Sequence, residues 1–366
     1  MKAAVLHNYC EELQIENVDL EEPRKGEVRV KMKAAGICHS DLHVINAHLP
    51  LPVPIILGHE GAGVVDAVGE GVTSVKVGDH VVLNWVPSCG KCYYCQIGRP
   101  DMCDEAAKIS AMGTMFDGTT RFSIGGKAVY QFPLTGTFSE YTVVPERAAI
   151  PIRNDVPFEL AALVGCSVIT GVGAVTNTAK VEPGSTVAVI GAGGVGFNVI
   201  QGAALCGAKQ IIAIDVLPEK LEMTKTFGAT HTINASEEDV ISAVLDLTGG
   251  HGVDYAFEVI GRPETMAEAY NITRKTGTAV IVGIAAPNES VTVNAFSLPS
   301  QSKTLTGSWL GQGNPPVDYP KLLDLYAEGK LKLEPLVSKI YTLDQINEGF
   351  EALKAGKNIR GVIRFD

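Results

Sequence analysis

Five residues of mostly β-branched apolar character, Thr186-Val-Ala-Val-Ile190, run straight into Gly191-Ala-Gly-Gly-Val-Gly196. A stretch of this kind reads as a strand covered on both faces, which belongs inside a parallel sheet. The glycines turn the chain into Phe197-Asn-Val-Ile-Gln-Gly-Ala-Ala-Leu-Cys206, a run of helix formers with apolar spacing. A G-x-G-x-x-G turn between strand and helix lets backbone N–H groups approach a pyrophosphate at the positive end of the helix. A second buried strand, Gln210–Ile214, ends in Asp215. An acidic residue about 20 positions beyond the glycines would hold the 2′-hydroxyl of an adenosine ribose and repel a 2′-phosphate, so the expected cofactor is NAD. Gly191, Gly193, Gly194, Val195, Gly196 and Asp215 are its candidate contacts.

The same style continues downstream. Thr186–Ile190, Gln210–Ile214, His231–Asn234, Tyr255–Val259, Thr278–Gly283 and Lys303–Gly307 alternate with helical segments. Six such strands fit a doubly wound α/β sheet of the Rossmann kind. The first 35 residues instead read as short strands, and Gly26–Lys33 alternates apolar with charged positions, as a sheet with one wet face does. At 366 residues the chain is too long for one ordinary core. The expected organisation is a β-rich domain from 1–167 and 309–366, interrupted by a dinucleotide-binding domain at 168–308.

Charge and cysteine usage narrow the function. A net charge of −11 without long acidic runs argues against nucleic-acid or membrane-surface partners. The N-terminus enters strand pattern at once, with no signal-peptide core, so the expected location is cytoplasmic. There, eight cysteines should be thiols or metal ligands. Cys89, Cys92, Cys95 and Cys103 are spaced C-x2-C-x2-C-x7-C, which suits a closed structural Zn²⁺ site; the last spacing is longer than in a bacterial ferredoxin cluster. A second set lies in Gly36-Ile-Cys38-His39-Ser40-Asp41-Leu42-His43, in Gly58-His59-Glu60-Gly61 and at Cys166. Cys38, His59 and Cys166 would leave a fourth position open, the pattern of a catalytic Zn²⁺.

Together these motifs resemble the zinc-dependent medium-chain alcohol dehydrogenase family, nearly end to end. The matching stretches are 36–41, 58–63, the four-cysteine lobe, Val164–Gly171 and Val181–Gly196, and the stretch 104–132 resembles the longer loop of the dimeric branch. The resemblance implies a GroES-like catalytic domain beside the Rossmann domain. It implies that Cys38, His59 and Cys166 hold the catalytic zinc, with Glu60 behind it as a transient ligand and Asp41 orienting a ligand histidine. Ser40 would take the alcohol proton and pass it through the nicotinamide ribose to His43. His39 and Arg360 would meet the pyrophosphate, Asp215 and Lys220 the adenosine ribose, and Trp85 would line the alcohol pocket. A homodimer is implied, with a tetramer as the alternative. Edge strands for it are expected around Thr278–Ile284 and Val291–Ser308.

The expected reaction is reversible oxidation of primary alcohols, apolar or aromatic, with hydride transfer to NAD. The competing branch acts on S-hydroxymethylglutathione, using acidic residues before the Gly-His-Glu motif and an arginine in the long loop. Here Asn46–Pro54 carries no carboxylate, and Lys108–Phe116 no arginine. A non-catalytic NAD-binding relative and a zinc-independent reductase are disfavoured by the complete Cys38–His59–Cys166 set.

Overall fold

A computed structural model describes all of residues 1–366. The chain divides into two compact units, Met1–Cys166 with Asn314–Asp366, and Ser167–Gly313. The second unit runs five residues past the expected 308. Gly311 packs backbone to backbone on Gly173, where a Cβ would lie 2.5 Å from the Gly311 carbonyl, and that carbonyl accepts from the Asn177 side chain at 3.1 Å.

The second unit is a six-stranded parallel sheet in the order His231–Asn234, Gln210–Asp215, Thr186–Ile190, Val253–Glu258, Thr273–Ile281, Thr304–Gly307. This is the doubly wound order, and it reverses beside Thr186–Ile190, the strand that feeds the glycine turn. All five residues of that strand are buried, as a central parallel strand requires. The stretch expected as an edge around Thr278–Ile284 lies inside the sheet. Thr278–Ile281 pairs on both sides, with Val253–Glu258 and with Thr304–Gly307, and residues 291–296 form no strand. The unpaired edges are Thr304–Gly307 and, opposite, His231–Asn234.

The first unit is built on two sheets. The larger runs Ala149–Pro151, His80–Leu83, Glu60–Val68, Glu27–Ile37, Arg360–Arg364, Val337–Tyr341, with Tyr141–Pro145 pairing the first half of Glu27–Ile37. The smaller collects short strands at Gln14–Asn17, Lys2–Leu6, Ile55–Ile56, Lys127–Gln131, Phe122–Ile124 and Asp19–Leu20. One contiguous apolar core joins them, including Val28, Val30, Met32, Ile37, Phe138 and Phe350. The helical run Phe158–Ala179 is apolar and long enough to cross a bilayer, but 83% of its most apolar window is buried, as in a core helix.

Antiparallel register decides where the chemistry falls. Gly36 pairs with Glu60, and Ile37 with Gly361. The strand Glu27–Ile37 therefore ends at the rim where its two neighbours, Glu60–Val68 and Arg360–Arg364, begin. Cys38, His59, Glu60 and Arg360 meet there although 322 positions separate the first from the last.

Candidate active site

Four buried donors converge at that rim. Cys38, His59, Glu60 and Cys166 each offer a ligand atom, all within 4.8 Å of one another. Cys38 caps the helix His39–Ile45. Cys166 arrives on a π-helical turn, Val164–Val168, that continues the helix Phe158–Leu163. Such a turn leaves a carbonyl without its helical partner, and buried Tyr319 donates its hydroxyl to the Gly165 carbonyl at 2.9 Å. Gly36 is required by close approach, because a Cβ there would sit 2.1 Å from Glu60 Oε2.

Asp41, fully buried, ties this rim together. Its Oδ1 lies 3.1 Å from His59 Nδ1 and accepts the Gly58 N–H at 3.0 Å, while Oδ2 accepts the Cys38 N–H at 3.3 Å. Burial disfavours the charged imidazole of His59, yet the carboxylate of Asp41 and the Cys38 thiolate outweigh it and hold the ring well above its usual range. With Nδ1 engaged by Asp41, His59 Nε2 is left buried without a hydrogen-bond partner. A soft thiolate pair and an imidazole nitrogen with no other use fit Zn²⁺. Hydrogen bonding from the Cys166 thiol makes Cys38 the first of the pair to ionise, with Cys166 held well above the usual thiol range.

Glu60 belongs to the donor cluster and also to an ion pair. Burial pushes its carboxyl up to about 7, against the pull of Arg360, whose Nη2 lies 3.1 Å from Glu60 Oε1. Arg360 is itself buried and donates from Nη1 to the Ile37 carbonyl at 3.1 Å. The sequence reading assigned Arg360 to a pyrophosphate and missed this role beside Glu60. The signal was present only in strand pairing.

His59 lies between two ring edges. Trp85 stands at 6.0 Å between centroids and 80° between planes, and Phe132 at 5.7 Å and 79°. Phe132 was not anticipated from sequence, because a Phe between Gln131 and Pro133 has no local mark. Ser40 Oγ lies 3.8 Å from Cys38 Sγ, and His39 is exposed at the start of its helix. His43 is half-buried one turn further on.

The second thiol set is equally compact. Cys89, Cys92, Cys95 and Cys103 have Sγ atoms within 4.8 Å of one another. The Cys92 and Lys91 N–H groups point at Cys89 Sγ at 3.3 and 3.5 Å, and the Cys89 N–H points at Cys103 Sγ at 3.2 Å. Backbone donors of this sort stabilise thiolates; the Cys92 thiol is drawn down to about 7, first by the Cys95 N–H. Four thiols gathered this closely fit a structural zinc.

In the second unit the glycine turn opens the helix Gly194–Leu205. Asp215 Oδ2 accepts the Ala192 N–H at 2.7 Å, and Oδ1 accepts those of Val216 and Leu217 at 2.8 and 3.0 Å. A Cβ on Gly196 would lie 1.9 Å from the Gly191 carbonyl, so the turn closes only over glycine. A Cβ on Gly193 would meet nothing within 4 Å, so the N-cap of this helix is open, as a helix N-terminus that takes a pyrophosphate must be. Lys220 is half-buried in the first turn of the helix Pro218–Thr224.

A buried Cys–His–Cys–Glu set, a four-thiol lobe and a doubly wound sheet with this glycine turn define a zinc-binding dehydrogenase. Comparison with known proteins agrees. Residues 24–154 match the alcohol dehydrogenase GroES-like domain, and residues 194–328 the zinc-binding dehydrogenase domain. An NDMA-dependent alcohol dehydrogenase of Amycolatopsis methanolica is 43% identical, over 99% of this chain and 98% of its own length. An alcohol dehydrogenase class-3 of Dictyostelium discoideum is 41% identical, over 99% and 97%. The crystal structure of benzyl alcohol dehydrogenase from Acinetobacter calcoaceticus superposes with a TM-score of 0.95 at 34% identity, covering 100% of this chain and 99% of that one. The chain belongs to the zinc-dependent medium-chain alcohol dehydrogenase family.

Proposed function

We propose that this enzyme oxidises primary alcohols, apolar or aromatic, to aldehydes, reversibly, with NAD as the hydride acceptor. The observation that carries the reading is the convergence of Cys38, His59, Cys166 and Glu60 beneath the ring edges of Trp85 and Phe132. Cys38, His59 and Cys166 would hold zinc, which when bound acts as a Lewis acid and lowers the pKa of an alcohol. Nicotinamide supplies the hydride acceptor.

This chain's own groups do the rest. Asp41 keeps the proton of His59 on Nδ1, so that Nε2 is the free donor atom. Ser40 Oγ would accept the proton lost by the alcohol as its own hydroxyl proton moves on towards His43, which delivers it to solvent. Trp85 and Phe132 exclude water from the carbon that loses hydride. Glu60, balanced by Arg360, is placed to exchange with a departing ligand. Gly191, Gly193, Gly194, Val195 and Gly196 cradle the dinucleotide, with Asp215 and Lys220 on its adenosine ribose and His39 and Arg360 proposed for its pyrophosphate. Cys89, Cys92, Cys95 and Cys103 hold a structural zinc. We assign the enzyme to the cytoplasm. A second copy would pair along the free edge Thr304–Gly307 to give a dimer, which light scattering measures.

A relative named as a class-3 enzyme keeps the glutathione adduct as the second reading. Against it, the arginine that the long loop 104–132 does carry, Arg121, is fully buried and bound to Glu27 and Asp117. Initial rates with benzyl alcohol, 1-octanol and S-hydroxymethylglutathione, each with NAD, with NADP and with NDMA added, test both readings. Turnover of benzyl alcohol with NAD alone is expected. Turnover confined to the adduct, or a strict need for NDMA, would overturn the substrate or the acceptor assignment respectively.

A further inference from the structure

The chain leaving the helix His39–Ile45 folds a second imidazole back onto His43. The Asn46 and Ala47 N–H groups reach the Leu42 and Val44 carbonyls at 2.9 and 3.0 Å, and those of His48 and Leu49 both return to the His43 carbonyl, at 2.9 and 3.0 Å. The fold-back needs Ala47 in the left-handed region, at φ 58, where glycine or asparagine is the ordinary residue. Its result is a pair: His43 Nδ1 and His48 Nδ1 lie 3.4 Å apart, with ring centroids at 5.7 Å. His43 is half-buried and His48 exposed.

We propose that His48 is a second proton carrier, taking from His43 the proton released in alcohol oxidation and passing it to solvent. This rests on the function proposed above. An imidazole that receives a proton at Nε2 can return to neutrality by losing the one on Nδ1, and the group facing His43 Nδ1 is His48 Nδ1. In the transfer the N–H bond at His43 Nδ1 breaks and one forms at His48 Nδ1. His43 is left neutral, and the His48 imidazolium gives its Nε2 proton to a buffer base. The rings stand a few tenths of an ångström beyond normal hydrogen-bond length, a gap that rotation of the exposed His48 ring closes. Electrostatics favour onward transfer. Burial first, then the nearby His48, lower the His43 pKa, while the charge of Cys38 opposes them. A proton on His43 is therefore poorly held and leaves readily.

His48→Gln removes the carrier and keeps a polar side chain. Two measurements on the zinc-loaded enzyme test it. Histidine NMR titration should show the His43 resonance moving to higher pH in the variant, because a like charge has gone. Stopped-flow hydride transfer to NAD from benzyl alcohol, in weak buffer at neutral pH, should fall roughly 10-fold, a fraction of the ~10²-fold that full acid–base groups contribute. Concentrated HEPES should restore it, with zinc content and NAD affinity unchanged. Ala47→Gly, which keeps both rings and eases the turn, should retain the wild-type rate. An unmoved His43 titration, a wild-type rate in His48→Gln, or equal losses in both variants would overturn the proposal. The titration needs no turnover, so an enzyme inactive on alcohols would defeat the proposed function and leave the pair to be judged by NMR alone.

Discussion

Replacing Asp41 by Asn tests whether one buried carboxylate sets up the proposed catalytic metal site. The side chain is nearly isosteric, so the change falls on charge and on hydrogen-bond polarity. Placed with its oxygen where Oδ1 now lies, the amide keeps the bonds from Gly58 N–H and His59 Nδ1. Its nitrogen then faces the Cys38 N–H across what is now a 3.3 Å bond, donor against donor. A buried N–H left without an acceptor costs about 1–3 kcal/mol. The two surviving bonds also lose their charge assistance, which roughly doubles the strength of such contacts. His59 is further left without the carboxylate that favours a proton on Nδ1, so Nε2 becomes a weaker donor.

These effects point to a loss of about 10–100-fold in zinc affinity at this site, the range seen when such supporting groups are removed. That is about 1.4–2.7 kcal/mol, in keeping with one orphaned donor. The assay is zinc release to a chromogenic chelator, followed per chain. Wild type should release its zinc slowly from both sites. Asp41→Asn should release one equivalent faster and hold the other, because Cys89, Cys92, Cys95 and Cys103 lie outside the Asp41 network. A variant that keeps both equivalents with wild-type kinetics would refute the reasoning. Early loss of both would show that Asp41 supports the unit as a whole.

Three other outcomes follow from the same structure. Arg121→Met should be strongly destabilising, since Arg121 donates to Glu27 from Nε at 2.8 Å and to Asp117 at 2.7 Å, and its removal strands the buried Glu27 carboxylate. A cost of about 3–5 kcal/mol, roughly 10 °C in Tm, is expected by calorimetry, and a neutral variant would contradict it. Asp215→Ser should weaken NAD and improve relative use of NADP, measured as the ratio of kcat/KM values; an unchanged ratio would remove Asp215 from the ribose site. Glu146 accepts the Thr73 and Ser74 N–H groups, each at 2.7 Å, and although burial opposes them these bonds hold its carboxyl below the usual range. A depressed folded-state pKa stabilises the fold fully above the ordinary carboxylate range, and that stabilisation fades as pH falls through the folded value. Glu146→Gln should therefore flatten the acid limb of a stability–pH curve measured by urea unfolding, and an unaltered limb would count against the assignment.

What could be read in the sequence was what one short segment contains by itself. The glycine turn is local, and so is the four-cysteine spacing, because a loop of 15 residues closes the lobe. The strands of the second unit announce themselves by alternating with helical segments, and Thr186–Ile190 and His231–Asn234 fall where their residues place them. The strands at Ile55–Ile56, Phe122–Ile124 and Lys127–Gln131 do not, since no regular alternation with helices frames them. Two details of the site were hidden for a different reason. Arg360 comes to Glu60 through two antiparallel pairings that share the strand Glu27–Ile37. Tyr319 reaches Gly165 because a π-helical turn frees a carbonyl. Register and helix irregularity are properties of the assembled unit, and a shift of one residue in either pairing would send Arg360 or Glu60 to the opposite face. The ligand types were therefore legible from residue identity, whereas the balance of charge around them is set by pairings made only on folding. That balance sets a buried guanidinium against Glu60, whose carboxyl burial raises above the usual range.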